Sequence, residues 1–372
     1  MKRRPAIVIT SLLIVVVILS FSCAGSKDSA TTLVVKKAKS APVMDGRLDD
    51  MWQLAKSIEI PVEVADYEFF DPMFRGKKYN VTMRAMTFES DLYVFAQWTA
   101  DQEASWDRES WYYNDAAGKW MQRPGKKPDA YTPPAYEDKF AILWNMNSAD
   151  FAIKGGTIFC HKAYKHTNLP DERMDLWHWK LVRTGPVNQL DDTWVGYVDE
   201  SAGGTSFNGR KSDAGNEPFS NNKQTLQIAG AEVTLPLYWI PKEESYYYIM
   251  DGEPKARKIV GMDKDKNLID EDGTVLVKED FALGSKFLIP SIKGVKTATG
   301  SRGDVAVFED FDEGTKTWNL EMRRKLVTNS DDDIQFGDLK KTYDFSVAVF
   351  NNTSIAHATP EGLLGKAYSL KF

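Results

Sequence analysis

The chain of 372 residues contains only four histidines, and three of them, His161, His166 and His178, fall in the stretch "FCHKAYKHTNLPDERMDLWHWK" (159–180). Cys160, one of two cysteines, lies there as well. Thiolate and neutral imidazole are the side chains that bind transition metals and haem iron. Zinc would take Cys160, His161, His166 and His178. However, paired C-x2-C and H-x3-H spacings are missing, and the adjacent Cys160 and His161 would point to opposite faces of a strand. Covalent haem attachment uses C-x-x-C-H. "TIFCH" keeps its second half, Cys160-His161, with Thr157 in place of the first cysteine. A single thioether at Cys160 and non-covalent haem held by histidine both stay open, against the plainer reading of histidines beside a buried thiol. The fourth histidine, His357, follows an apolar strand in "FNNTSIAHATP". A sandwich fold can set a C-terminal strand beside a mid-chain one. His357 could then face a first ligand from 161–178 across one haem. Two neutral imidazoles would leave iron six-coordinate, able to pass electrons but with no open position for substrate.

The elements that must position these residues read mostly as strands. Apolar alternation or β-branched and aromatic runs mark 31–38, 79–88, 91–100, 139–146, 192–198, 225–235, 304–310, 315–326, 343–350 and 366–372. Only 48–57 reads as a short helix. Many strands, few helices and frequent turns predict an all-β, antiparallel β-sandwich. Residues 101–136, with Trp106, Trp111 and Trp120, and the Gly/Ser/Asn-rich 200–223 read as long loop insertions, the second as a mobile loop. On a strand through "DLWHWK", Trp177 and Trp179 share one face and His178 and Lys180 the other. One face would pack the core while the other lines a pocket, where Lys180 and Arg183 could pair with haem propionates. Asp191 and Asp192 predict either a turn or carboxylates that help bind a cation. "DKDKNLIDEDG" (263–273) departs from a calcium loop at Leu268 and Thr274 and reads as a solvated hairpin, and "NSDDD" (329–333) as a turn. No Ser-His-Asp set, phosphate loop or dinucleotide fingerprint is present.

The N-terminus, "MKRRPAIVITSLLIVVVILSFSCAGSKDSA", has the basic start, apolar run and small residues of an export signal. Cys23 just after the apolar run predicts a lipoprotein: signal peptide 1–22, lipidation on Cys23, a tether over 23–33 and a folded domain over 34–372. The match is imperfect, since Ser20 stands where the leucine of such a signal is usual and the leucine is Leu19. The expected location is periplasmic or cell-surface, anchored to a membrane. A formal charge of −6, made more acidic by loss of Lys2, Arg3 and Arg4, argues against nucleic acid as a partner. With Cys23 lipidated, Cys160 has no intramolecular disulfide partner.

"APVMDGRLDDMWQLA" (41–55) resembles a motif of family-nine carbohydrate-binding modules and their haem-binding relatives. "YEDKFAILWNMN" (136–147), "FCHKAYKHTN" (159–168), "MDLWHWKLVRTGPVNQLDD" (174–192) and "YDFSVAVFNNTSIAHA" (343–358) resemble the ethylbenzene dehydrogenase-related haem-binding domain. The likeness is spread over nearly all of the chain after the leader. It implies a β-sandwich carrying one b-type haem, or a c-type haem through a single cysteine. It also implies a subunit that passes electrons for a partner, a molybdenum oxidoreductase or a multihaem cytochrome, and is not itself an enzyme. In that family the iron has Met and Lys ligands. Lys165 falls near the Met position and His357 near the Lys position, so the chain departs from the pattern. His161 is favoured as the first ligand because it follows Cys160, with His166, Lys165 and Met174 as alternates. The competing expectation is a carbohydrate-binding β-sandwich without haem that uses the tryptophans of 101–120.

Overall fold

The computed structural model describes residues 30–128, 132–156, 159, 166–199, 209–241, 246–285, 287–360 and 367–372. Thirteen strands among them join in one hydrogen-bonded path: β1 Thr32–Lys37, β2 Ile58–Val64, β3 Lys78–Phe88, β4 Asp91–Thr99, β5 Lys139–Asn145, β6 Met174–Lys180, β7 Asp191–Val195, β8 Arg210–Ser212, β9 Ala306–Asp312, β10 Thr317–Lys325, β11 Thr342–Phe350, β12 Ala358–Pro360 and β13 Tyr368–Lys371. The path folds on itself into a β-sandwich. One layer runs β8-β7-β6-β5-β11 and the other β2-β3-β4-β10-β9. Two links join the layers at opposite ends of β11. Residues Thr342–Phe345 pair with β13, which leads through β1 to β3, and Val349 pairs with Ala358 of β12, which leads to β2. Every pairing except those of β1 is antiparallel to its partner within the sandwich.

Alternation along each strand sets the core. Phe140, Ile142 and Trp144 of β5, Trp177 and Trp179 of β6, and Phe345, Val347 and Val349 of β11 point inward against Ile60, Val81, Trp98 and Leu320 of the other layer. Indoles close the gap between layers. Trp98 stacks on Phe140 at 5.1 Å, and Trp179 meets Trp318 edge-on at 5.1 Å. Strand β4 is buried on both faces because its Tyr93 and Phe95 meet a second cluster around Trp52. Trp52 sits in the short helix α1, Asp50–Gln53, whose N-cap Asp49 accepts the Trp52 amide at 3.0 Å. The "MDGRLDDMW" segment is pinned there by buried Glu321. Its Oε2 accepts the amides of Asp45 and Gly46 at 2.7 Å each, and its Oε1 accepts the Trp52 indole N–H. Gly46 has φ +77°, and a Cβ there would lie 2.5 Å from the Glu309 carbonyl carbon, so glycine is required.

Several expectations need correction. The helix over 48–57 is a single turn. The strand over 225–235 is a hairpin, Gln224–Ile228 with Ala231–Leu235, turning through Ala229 (φ 51°) and Gly230 (φ 83°). The insertion 101–136 is not all loop: Trp111–Asn114 pairs with Lys119–Gln122, and Trp111 and Trp120 are buried with Leu235, Ile259, Leu268 and Phe281 in a satellite core. Residues 209–223 are built into the fold as well. They supply the edge strand β8, and the buried Asn222 side chain donates to the carbonyls of Tyr238 and Pro290 at 2.8 Å each. The hairpin around 263–273 forms as expected between Arg257–Met262 and Leu268–Asp270. Among the described residues no helix is long and apolar enough to cross a membrane.

Candidate functional site: an apolar cleft on the outer face of one layer

The outward residues of β5, β6 and β11 line up in rows across the sheet. His178, Ala141 and Ala348 form one row, and Leu176, Leu143 and Ser346 the next. These small and apolar side chains floor a cleft of about 660 Å³, its open mouth included. Val195, Arg210, Phe159 and Gly156 border it on one side, and Phe350, His357 and Thr359 on the other. The floor is low because the rows carry alanine and serine where the inner face of the same strands carries tryptophan and phenylalanine. Gly156 lies close to it: a Cβ there would come within 2.9 Å of the Ser346 Cβ.

Two of the four histidines meet in this cleft. Phe350 stacks with both, at 5.5 Å from His178 (26° between planes) and 4.6 Å from His357 (27°). Nδ1 of His357 lies 2.7 Å from the Ile355 carbonyl and donates to it, since a carbonyl only accepts. That bond puts the lone pair on Nε2, the arrangement used when imidazole ligates a metal. His178 is 7% exposed, and neither of its ring nitrogens has a hydrogen-bond partner. Burial, then the positive charges of Lys180, Arg210, Lys139 and Arg183, hold its pKa well below the usual histidine value, so the ring is neutral. A buried, neutral, unpartnered imidazole beside an apolar floor suits a flat metal macrocycle that needs apolar contact and a nitrogen donor.

The other residues singled out from sequence sit elsewhere. Trp177 and Trp179 share a face as expected, but that face is the sandwich core, not the cleft. Lys180 and Arg183 are already paired. Lys180 donates to Asp191 Oδ2, and Arg183 Nε donates to the buried Glu137, whose Oε2 also accepts the Val182 amide at 2.6 Å. Arg210, absent from the sequence-based set, is the cationic residue at the cleft edge, where its Nε donates to Thr193 Oγ1 at 3.1 Å. His166 is buried with Nδ1 2.6 Å from the Thr167 carbonyl and its edge toward Tyr197, and it does not border the cleft. Met174 is packed with Phe151, Phe159 and Val195 next to the cleft rather than in it. Cys160, His161 and Lys165 lie outside the described residues, as does Cys23.

Asp191 and Asp192 make no turn; both are buried on β7. Alternation sends them to opposite faces. Asp191 accepts from Lys180, and from Arg302 Nε at 2.9 Å, with Arg210 Nη2 at 3.7 Å, so three protein cations meet its charge. Asp192 faces inward toward other carboxylates: Asp304 and Asp333 form one close group with it, and Asp213, Asp332 and Asp333 form another. The "NSDDD" turn thus delivers Asp333 to the interior. Burial and then neighbouring carboxylates push the Asp213 pKa up to about 9 and that of Asp192 well above the usual range.

The ethylbenzene dehydrogenase family model matches residues 49–361, well over half of the chain. The chain belongs to the ethylbenzene dehydrogenase family. The match covers α1, every cleft residue and all five close-set aspartates. None of the curated proteins matches the chain. Two solved structures of a family 9 carbohydrate-binding module from Caldicellulosiruptor kristjanssonii, one in complex with glucose and one with cellotriose, are similar at 11% identity and a TM-score of 0.27. The alignments cover 91% of this chain and 94% and 93% of theirs.

Proposed function

We propose that this member of the ethylbenzene dehydrogenase family binds one haem in the cleft of β5, β6 and β11 and relays electrons for a partner oxidoreductase or cytochrome. The observation that carries the reading is the convergence of His178 and His357 on one apolar floor, with both nitrogens of buried His178 left without a partner. His357 is the leading iron ligand, oriented through the Ile355 carbonyl. His178 is the second imidazole in reach of the same space, and His161 retains its sequence-based claim. Bound haem would supply a one-electron couple. The alanine floor would offer it contact, and Arg210 a cation for a propionate. An exported, Cys23-lipidated chain with a molybdenum oxidoreductase or multihaem cytochrome as partner completes the proposal.

The competing carbohydrate reading loses the surface first offered for it. Trp111 and Trp120 are buried at 3% and 5% exposure, leaving Trp106, at 37%, as the exposed indole of that segment. The test is the absorbance of the full chain produced with a haem supply, followed by a pyridine haemochrome assay. One haem per chain with a Soret band is expected. A colourless protein that retains oligosaccharide would replace this reading with the carbohydrate one.

A further inference from the structure

Behind β7, on the face away from the cleft, five aspartates from four segments converge: Asp192 of β7, Asp213 just past β8, Asp304 before β9, and Asp332 and Asp333 from the turn after β10. Within each of two triads, Asp192–Asp304–Asp333 and Asp213–Asp332–Asp333, carboxylate oxygens lie within 4.8 Å of one another, and Asp333 belongs to both. Like charges so close inside a protein repel strongly unless something offsets them. Among the described residues Arg324 is the cation paired with the cluster, and it is committed to Asp175 at 2.8 Å and to the Ile334 carbonyl, coming only to 3.7 Å of Asp333. Independent of the clustering, Oδ2 of Asp192, at 0% exposure, has no hydrogen-bond partner, and neither oxygen of Asp213, at 4%, has an N–H or hydroxyl donor, its polar contact being with the Asp333 carboxyl. Buried carboxylate oxygens ordinarily find donors, so oxygens left bare beside other carboxylates mark a cation's place.

We infer that this cluster is a binding site for a divalent, oxygen-seeking cation of the calcium class, with Asp333 shared between the two triads. All-oxygen, carboxylate-rich donors from several chain segments suit calcium, which accepts irregular geometry and six to eight ligands, better than magnesium. No nitrogen or sulfur donor is present in either triad, which disfavours zinc and copper. The cation would tie the edge strand β8 and its neighbour β7 in one layer to the segments that flank β9 and β10 of the other. The site does not depend on haem, because it lies on the opposite face of β7 from the cleft.

The test uses the full chain stripped with a chelator. Thermal unfolding is followed as calcium or magnesium is added, and terbium luminescence is excited through tryptophan. Calcium should raise the melting temperature by several degrees, more than magnesium does at equal concentration, and terbium should light up and be displaced by calcium. Asp192→Asn and Asp213→Asn should each weaken calcium at least tenfold. If those buried variants do not fold, Asp332→Asn, which is half-buried, takes their place. A stripped wild-type chain that responds to neither calcium nor terbium would overturn the site and mean that the carboxylates share protons instead. A calcium response undiminished in the variants would place the ion elsewhere, and a stronger response to magnesium would overturn the calcium class.

Discussion

Replacing Ala348 by leucine separates a ligand cleft from an ordinary packed surface. Ala348 stands beside Ala141 in the row that ends at His178, and it is only partly buried. Leucine adds three carbons over a floor that water can reach. At about 0.8 kcal/mol per buried CH2 the ceiling is about 2.4 kcal/mol, and partial burial brings the gain to about 1–2 kcal/mol. For a chain of this size that corresponds to a rise of roughly 1–3 °C in the melting temperature of the haem-free protein. The same side chain occupies room the haem needs. Overpacking costs of about 1–3 kcal/mol translate into roughly 5- to 150-fold weaker haem binding. Differential scanning fluorimetry on haem-free protein and haemin titration give both numbers. Opposite signs are expected: more stable without haem, weaker for haem. A melting temperature that drops by several degrees while haemin affinity stays unchanged would refute the reasoning, because it would mean the floor is tightly packed and irrelevant to the ligand.

Glu137→Ala strips the partner from Arg183 and orphans the Val182 amide in a buried setting, and should cost about 3–5 kcal/mol in urea unfolding. Gly46→Ala meets both a positive φ and the Glu309 backbone, and should lower stability by at least about 1 kcal/mol, read as a fall in the urea midpoint. Glu309 has its pKa pushed up to about 7 by burial. Its folded value lies above its unfolded one, so its contribution is fully present below about pH 4 and is lost as pH rises through 7. The urea midpoint should therefore fall between pH 5 and 8 by an amount worth up to roughly 3 kcal/mol, and Glu309→Gln should flatten that fall.

The sandwich was legible because period-2 alternation survives in strands such as β3 and β6, where one face is core. The Trp177/Trp179 against His178/Lys180 division follows from that period alone, and His357 stands out as a histidine after an apolar C-terminal strand. What the sequence hid depends on partners far along the chain. Nothing near Lys180 or Arg183 shows that Asp191 and Glu137 already claim them. The pairing of Asp192 with Asp304 and Asp333 joins segments more than a hundred residues apart. The buried tryptophans of 101–120 read as exposed because their satellite core is assembled from residues 224–289. His178 lies at the end of the 161–178 range that offers a first ligand, and what singles it out there is a lone histidine on the face opposite two core tryptophans.

The most direct measurement is a crystal structure of the full chain isolated with haem. One porphyrin is expected over Ala141 and Ala348, its iron bonded to His357 Nε2. A haem located away from this face, or iron bonded to neither His357 nor His178, would contradict it.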